Sequence, residues 1–219
     1  MNVAQTISKK EIWRRQSAAA TRELAGFASL DFYIFETFLT PHYNPRENPL
    51  AMVVGASLDE APVIRFFHQQ EYGIPLERVK IAGCTTRPTI IKEERRRYDL
   101  FYCGEIGEGG MESLWRQGAY ELGAADFDLA YIRFPNLSET QNWYSAFESA
   151  YLCVRPEGAI ISVLAHKDVA YFEKLKEMLR TRLRFEPVVS ENTGIIDSYG
   201  LPAFHYWVAI FKTPEQKLI

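Results

Sequence analysis

Apolar and polar positions alternate along most of the chain in blocks whose lengths suit strands and helices. The short, mainly apolar blocks predict five strands, at Leu50–Ala56, Arg78–Cys84, Tyr98–Cys103, Phe127–Phe134 and Ala159–Ala165. The longer blocks predict helices at Asp59–Tyr72, Thr89–Arg97, Met111–Leu122, Glu139–Val154 and Asp168–Arg182. This alternation predicts βαβ units with right-handed crossovers, and therefore a parallel sheet covered by helices on both faces.

The end of the chain departs from this alternation. Phe185–Ser190 and Ala203–Phe211 both have the pattern of strands, but Gly194, Gly200 and Pro202 between them leave no room for a good crossover helix. An antiparallel pair needs only a loop, so we expect these two strands to be antiparallel. The prediction is a doubly wound α/β fold, with a mostly parallel seven-stranded sheet and an antiparallel final strand.

A helical arm is expected before the first strand, so we predict an arm or lid over residues 1–48 and a sheet domain over residues 49–219. Helices are predicted at Lys9–Gly26 and over the aromatic run Leu30–Leu39, followed by a proline-rich loop at Thr40–Pro49. The aromatic run is interpreted as core or as a homodimer contact.

Composition narrows the class of protein without identifying it. The chain has 219 residues, 47% of them hydrophobic, and a formal net charge of −3, which suits one globular domain and does not favour nucleic-acid binding. No stretch approaches the about 18 apolar residues of a membrane span, and no secretory signal is recognised. We therefore expect no membrane and no nucleic-acid partner.

The cysteines and histidines do not indicate a metal site. Cys84, Cys103 and Cys153 have no CxxC spacing and each lies in an apolar run, which predicts buried thiols in a reducing, cytoplasmic compartment. The histidines likewise lack the spacing of metal ligands.

The carboxyl ends of the strands supply the candidate binding residues, because ligands of open α/β sheets bind there. After the first strand come Gly55, Ser57, Asp59 and Glu60, where Asp59 and Glu60 either meet a ligand ammonium or serve as helix cap and dipole partner. The third strand leads into Gly104–Gly110, a loop that either offers amides to an anion or is a plain tight connection.

The fourth and fifth strands add three further candidates. Arg133 either binds a carboxylate or phosphate or forms a surface salt bridge, and Asn136 follows it after Phe134 and Pro135. His166 is either a general base or a capping residue.

Four stretches resemble the class I S-adenosylmethionine-dependent methyltransferases. Met52–Glu60 looks like the family's first motif, Phe127–Asn136 like its fourth strand, Leu152–Ile161 like its junction into the fifth strand, and Phe204–Phe211 like its closing strand. The resemblance covers about Leu50 to Lys212. It departs from the family in the first motif, which keeps one glycine, and at the end of the second strand, which has threonines where a carboxylate is usual.

The resemblance implies specific roles. Gly55, Ala56 and Ser57 would line S-adenosylmethionine, with Asp59, Thr85, Gly104 and Arg133 around it and Glu105 replacing the ribose carboxylate. Asn136 and His166 would be catalytic, and the arm would close over the cofactor through Tyr33 and Tyr43.

The function implied is S-adenosylmethionine-dependent methyl transfer to a small-molecule acceptor, in which the enzyme mainly supplies proximity and orientation. The alternative is a catalytically inactive methyltransferase-like protein that has lost the cofactor and serves in binding or assembly. An NAD enzyme is disfavoured, because the first turn lacks G-x-G-x-x-G.

Overall fold

The computed structural model describes residues 31–56, 60–85, 96–103, 126–133, 135, 141–165, 169–192 and 206–213. Its strands are β1 Leu50–Val54, β2 Lys80–Thr85, β3 Leu100–Cys103, β4 Phe127–Arg133, β5 Val154–Ala165, β6 Val189–Asn192 and β7 Tyr206–Lys212. The α-helices that lie wholly within the described residues are α1 Glu60–Tyr72, α2 Gln141–Cys153 and α3 Val169–Leu183. Within the described ranges, no helix combines the length and apolar character needed to cross a membrane.

The strands form one seven-stranded sheet in the order β3-β2-β1-β4-β5-β7-β6. β1 to β5 pair in parallel, whereas β7 runs antiparallel to both β5 and β6. The predicted α/β fold with an antiparallel final strand is therefore confirmed. The predicted helices at Lys9–Gly26 and Met111–Leu122, and most of Thr89–Arg97, lie outside the described residues.

Two strands differ from the sequence prediction. The strand predicted at Phe185–Ser190 is β6 at Val189–Asn192, and the strand predicted to begin at Ala159, after Arg155–Gly158, begins earlier. In the structure β5 begins at Val154 and includes these residues as a bulge, with Glu157 at a φ of 61°. The bulge is held by Thr213, which accepts a bond from the Glu157 amide at 3.0 Å and donates one to the Gly158 carbonyl at 3.0 Å. The sequence pattern of a turn therefore corresponds to an irregular strand here, because Thr213, which follows β7, supplies its hydrogen bonds.

The sheet is buried on both faces, as the continuous apolar run of β1 predicts. Successive side chains of a strand point to opposite faces, so each strand contributes to two hydrophobic clusters. The face under α2 and α3 includes Met52, Val54, Ala130, Ile132, Ile160 and Leu164. The face under α1 and the arm includes Ala51, Val53, Leu129, Tyr131, Ile161 and Val163.

The arm packs against the second of these faces. Residues 31–34 are α-helical, Phe35–Leu39 form a π-helix and Thr40–His42 a 3₁₀ turn. The fully buried apolar side chains of the described arm are Phe32, Ile34, Phe35 and Leu39. The ring of Phe35 lies 5.0 Å from that of Tyr131 in β4, edge to face. The aromatic run is therefore core, as one of its two interpretations expected.

A buried carboxylate fixes the chain between the arm and β1 at the amino-terminal edge of the sheet. Asp128, near the start of β4, accepts bonds from Arg46 Nε at 2.9 Å, Arg155 Nε at 2.8 Å and the Leu50 amide at 2.9 Å. Burial alone would raise the pKa of Asp128, but the bonds from Arg46 and Leu50 hold that pKa below its usual value. The loop before β1 is thereby tied to the sheet.

A second contact ties the arm to α1. The hydroxyl of Tyr43 lies 2.9 Å from His68 Nε2, and the Tyr72 hydroxyl donates to the Tyr43 carbonyl at 3.0 Å. His68 lies two turns beyond the start of α1, towards the edge of the sheet where Asp128 lies. The prediction that Tyr43 covers a ligand at the carboxyl ends of the strands is therefore wrong.

We expect the free energy of unfolding to decrease as the pH is lowered, because His68 titrates. Burial lowers the pKa of His68 from 6.5 to about 4, so the folded protein binds this proton only at a pH where the unfolded chain is already protonated. The full stability is present above about pH 6.5 and is lost progressively as the pH falls towards 4. The total loss of unfolding free energy is about 3 kcal/mol. The unfolding free energies of the wild type and His68→Gln should be measured with denaturant between pH 7 and 4.5. The free energy of the variant should depend less steeply on pH than that of the wild type. Parallel slopes would contradict this assignment.

Candidate functional site

The carboxyl ends of β1 and β4 meet at the place where the strand order reverses. β2 and β3 lie on one side of β1, whereas β4 and β5 lie on the other. In sheets of this kind a crevice opens outside the carboxyl ends of the strands at that switch point. Gly55 directly follows β1 and Arg133 ends β4, and a side-chain carbon added to Gly55 would lie 3.8 Å from the Arg133 carbonyl. The structure thus brings together two of the residues selected from the sequence.

The turn at Gly55 needs a glycine for its own geometry. Gly55 has a φ of +77°, a conformation that strains residues with a side chain. The amides of Gly55 and Ala56 both donate to the Cys84 carbonyl in β2, at 2.9 and 2.8 Å. These two amides therefore fasten the turn to β2, and Gly55 itself remains partly exposed.

Trp143 of α2 lies against this turn. A carbon added to Gly55 would be 3.7 Å from Cη2 of the indole, an ordinary van der Waals contact. The indole is partly buried and packs on the cluster under α2. Sequence reasoning did not select Trp143, and the only signal for it was its position in the first turn of the helix after β4.

Ala56 and Thr85 lie below the crevice rather than on its surface. Each is only 3% exposed. Beside them the ring of Tyr98 covers β2 at Gly83, where an added carbon would lie 2.7 Å from the ring and 3.1 Å from Ala56. The two candidates and Tyr98 thus form the floor of the site.

A buried group of charged and phenolic side chains lies beside the turn, on the face under α1 and the arm; we call it the Arg133 cluster. Its members are Asp31, Glu60, Tyr98, Tyr131 and Arg133. Arg133 Nη1 donates to Glu60 Oε1 at 2.9 Å, and Arg133 Nε lies 3.5 Å from Asp31 Oδ1. The Tyr131 hydroxyl donates to the same Asp31 oxygen at 2.8 Å, and the Tyr98 hydroxyl to Glu60 at 3.2 Å.

The acidic side chains of the cluster stabilise the charge of Arg133. The side chains of Asp31, Glu60 and Arg133 are 0%, 1% and 9% exposed, so the arginine side chain is the least buried of the three. Burial alone would lower the pKa of Arg133, but Asp31, Tyr131 and Glu60 raise it, and the arginine stays charged. Burial and Asp31 raise the pKa of Tyr131, which therefore acts as a neutral donor.

The ion pair of Arg133 differs from the surface salt bridge that was one of the two alternatives left open by the sequence. Arg133 forms a salt bridge that is buried rather than on the surface, and Glu60 in the first turn of α1 is its partner. Asp31, Tyr98 and Tyr131 were not selected from the sequence. The signal for Asp31 was a lone carboxylate beside an aromatic run, where an unpaired charge would be costly.

The other candidates lie outside the described residues. They are Ser57, Asp59, Gly104, Glu105, Asn136 and His166.

Comparison with known proteins finds similarity in structure alone. No protein-family model matches the chain, and no curated protein matches it in sequence. Among solved structures, the Thermoplasma acidophilum protein 1320 has a TM-score of 0.58 at 10% identity, over 94% of this chain and 98% of that chain. A methyltransferase from Pyrococcus furiosus has a TM-score of 0.56 at 12% identity, over 94% and 96%. The N-methyltransferase NodS from Bradyrhizobium japonicum WM9 has a TM-score of 0.50 at 12% identity, over 93% and 98%.

These similarities concern the whole sheet and its helices. The chain has the fold of the class I S-adenosylmethionine-dependent methyltransferases, as its resemblance to that family predicted. At 10 to 12% identity they show the fold.

We expect Arg133→Met to be strongly destabilising, because it leaves the buried carboxylates of Asp31 and Glu60 without their guanidinium. Breaking one partner of a buried pair typically costs about 3–5 kcal/mol of unfolding free energy. The triple variant Asp31→Asn/Glu60→Gln/Arg133→Met removes all three charges and should recover most of that loss. Denaturant unfolding at pH 7 measures both effects.

The matched control for this prediction is Arg78→Met, because Arg78 pairs with Glu47 where both side chains are exposed. Its loss should be about 1 kcal/mol or less. Equal losses for Arg78→Met and Arg133→Met would show that the Arg133 cluster does not depend on compensated charge.

Proposed function

We propose that the protein binds S-adenosylmethionine at the crevice between β1 and β4 and transfers its methyl group to a small-molecule acceptor. The observation that carries this proposal is the positive-φ turn at Gly55, which lies at the switch point of the sheet beside the backbone of Arg133 at the end of β4. The methyltransferase fold supports it, although a fold by itself accommodates many functions.

The described residues fit the amino-acid end of this cofactor. That end carries an ammonium and a carboxylate, and the crevice offers a partly exposed glycine turn next to Arg133, whose side chain is 9% exposed. An arginine in this position matches a carboxylate in charge and in its planar, forked geometry. Gly55 and Arg133 would thus hold the amino-acid end, and the bound cofactor would supply the electrophilic methyl group.

The rest of the proposed site comes from the residues that follow the strands. Ser57 and Asp59 would complete the turn after β1. Glu105, with Gly104 in the loop after β3, would take the ribose hydroxyls, since Thr85 at the end of β2 is buried and has no carboxylate.

The remaining chemistry is positioning and proton removal. The indole of Trp143 would limit access of water to the Gly55 turn, against which it packs. Asn136, after β4, would orient the acceptor by hydrogen bonds, and His166, after β5, would accept its proton. Both residues follow parallel strands, and the carboxyl ends of parallel strands lie at the same edge of a sheet.

Titration calorimetry with S-adenosylmethionine tests the proposal, and Gly55→Ala locates the site. This substitution adds a side chain in the crevice at a φ of +77°, so we expect affinity to fall about tenfold or more. Gly73→Ala is a matched control, because Gly73 has a φ of +68° but no atom within 4 Å of an added carbon. Both variants should lose a similar stability, about 1–2 kcal/mol, and only the first should lose affinity.

The outcomes separate the two functions considered. Absence of both heat and thermal shift with millimolar S-adenosylmethionine would refute the proposal and favour the alternative, a methyltransferase-like protein that has lost the cofactor. Binding of the cofactor, with no S-adenosylhomocysteine formed across a broad panel of small acceptors, would instead support a protein that binds without methyl transfer. NAD serves as the control ligand and should give no signal.

A further inference from the structure

The two carboxylates on Arg133 hold it unequally. The Glu60 contact, at 2.9 Å from Nη1, has the length of a charge-assisted hydrogen bond. The Asp31 contact, at 3.5 Å from Nε, is an ion pair beyond the range of a good hydrogen bond. Asp31 therefore stabilises the guanidinium mainly through its charge, whereas Glu60 also fixes its position.

Asp31 is oriented by another residue. Its Oδ1 accepts a 2.8 Å bond from the Tyr131 hydroxyl, which is shorter than its contact with Arg133. Tyr131 belongs to β4, as Arg133 does, and lies two residues before it on the same face of the sheet. Asp31 thus remains anchored to β4 even where its pairing with Arg133 is weakened.

We infer that Asp31 is a specificity-determining residue, whose carboxylate occupies the anion position of Arg133 until a ligand carboxylate replaces it. This inference rests on the proposed function, because it assigns the ligand carboxylate to S-adenosylmethionine. Glu60 is the positioning residue that keeps the guanidinium at the crevice throughout. Exchange at the Asp31 side breaks the longer contact and leaves the shorter one intact.

The arrangement balances stability against affinity. Without a ligand, Asp31 offsets the cost of burying a guanidinium. With a ligand carboxylate bound, Asp31 becomes a nearby like charge that opposes it. Removing the charge of Asp31 should therefore weaken the folded state and strengthen the binding of ligands that carry a carboxylate.

The test compares the wild type with Asp31→Asn, which retains an oxygen for the Tyr131 hydroxyl. We expect Asp31→Asn to bind S-adenosylmethionine about tenfold more tightly while melting at a lower temperature. Its affinity for decarboxylated S-adenosylmethionine, which has no carboxylate for Arg133, should change by less than about twofold. A purely structural role for Asp31 would not distinguish these two ligands.

Asp128→Asn is the matched control. Asp128 is equally buried in β4 and pairs with Arg46 and Arg155, but it lies five residues from Arg133, about 17 Å along the strand. This variant should lower stability without changing the affinity for either ligand. An equal gain in affinity in both variants would assign the effect to general electrostatics and overturn the inference.

Tyr131→Phe is a second variant, for which we expect the opposite change in affinity for S-adenosylmethionine. It removes the hydroxyl that holds Asp31, so the carboxylate should pair more fully with Arg133 and S-adenosylmethionine should bind more weakly. Weaker or unchanged binding in Asp31→Asn, in a protein whose wild type binds S-adenosylmethionine, would overturn this inference and leave the proposed function intact. A wild type that does not bind S-adenosylmethionine would overturn both.

Discussion

The guanidinium of Arg133 lies almost wholly inside the protein, and a buried charge persists only where opposite charges surround it. Its partners come from separate parts of the chain: Asp31 from the arm and Glu60 from the start of α1. The arm, α1 and β4 must therefore meet at the carboxyl end of β4, which is also where the sheet opens its crevice. Compensation of one charge thus places three elements around the candidate site.

β4 has a compensated charge at each end. Asp128 near its start pairs with Arg46, near the end of the arm, and Arg133 at its end pairs with Asp31, which begins the described part of the arm. The aromatic side chains between Asp31 and Arg46 fill the face of the sheet that separates these two pairs. The described part of the arm therefore shares one core with the sheet, and its position is determined from both ends.

At the crevice, the same charges that stabilise the fold also define its chemistry. Asp31 and Glu60 pair with Arg133 within the chain, so in the proposed function a ligand anion would exchange with a carboxylate already present. The turn at Gly55 provides a close backbone approach, while Trp143 on the opposite face of the sheet shields it. A site of this kind suits a ligand group that carries both an ammonium and a carboxylate, because a group without net charge changes the local charge balance least.

The sequence by itself determined the fold, and with it the place of the candidate site. Apolar periodicity distinguished strands from helices, the short connection before β7 indicated its antiparallel direction, and the switch-point rule selected Gly55 and Arg133. These features depend on neighbours along the chain, so they can be derived from local pattern. The bulge at Arg155–Gly158 was misjudged because its hydrogen bonds come from Thr213, far along the chain.

Only the tertiary structure decided what the selected residues contact. Asp31 and Arg133 are about a hundred positions apart, and no periodicity relates them. The same holds for Trp143 beside Gly55 and for Tyr98 over Gly83. It also holds for Tyr43, whose chemistry suited a lid but whose partner, His68, holds it near the opposite edge of the sheet. Local pattern determines where a strand ends, whereas the charges and rings that meet there depend on how distant segments pack.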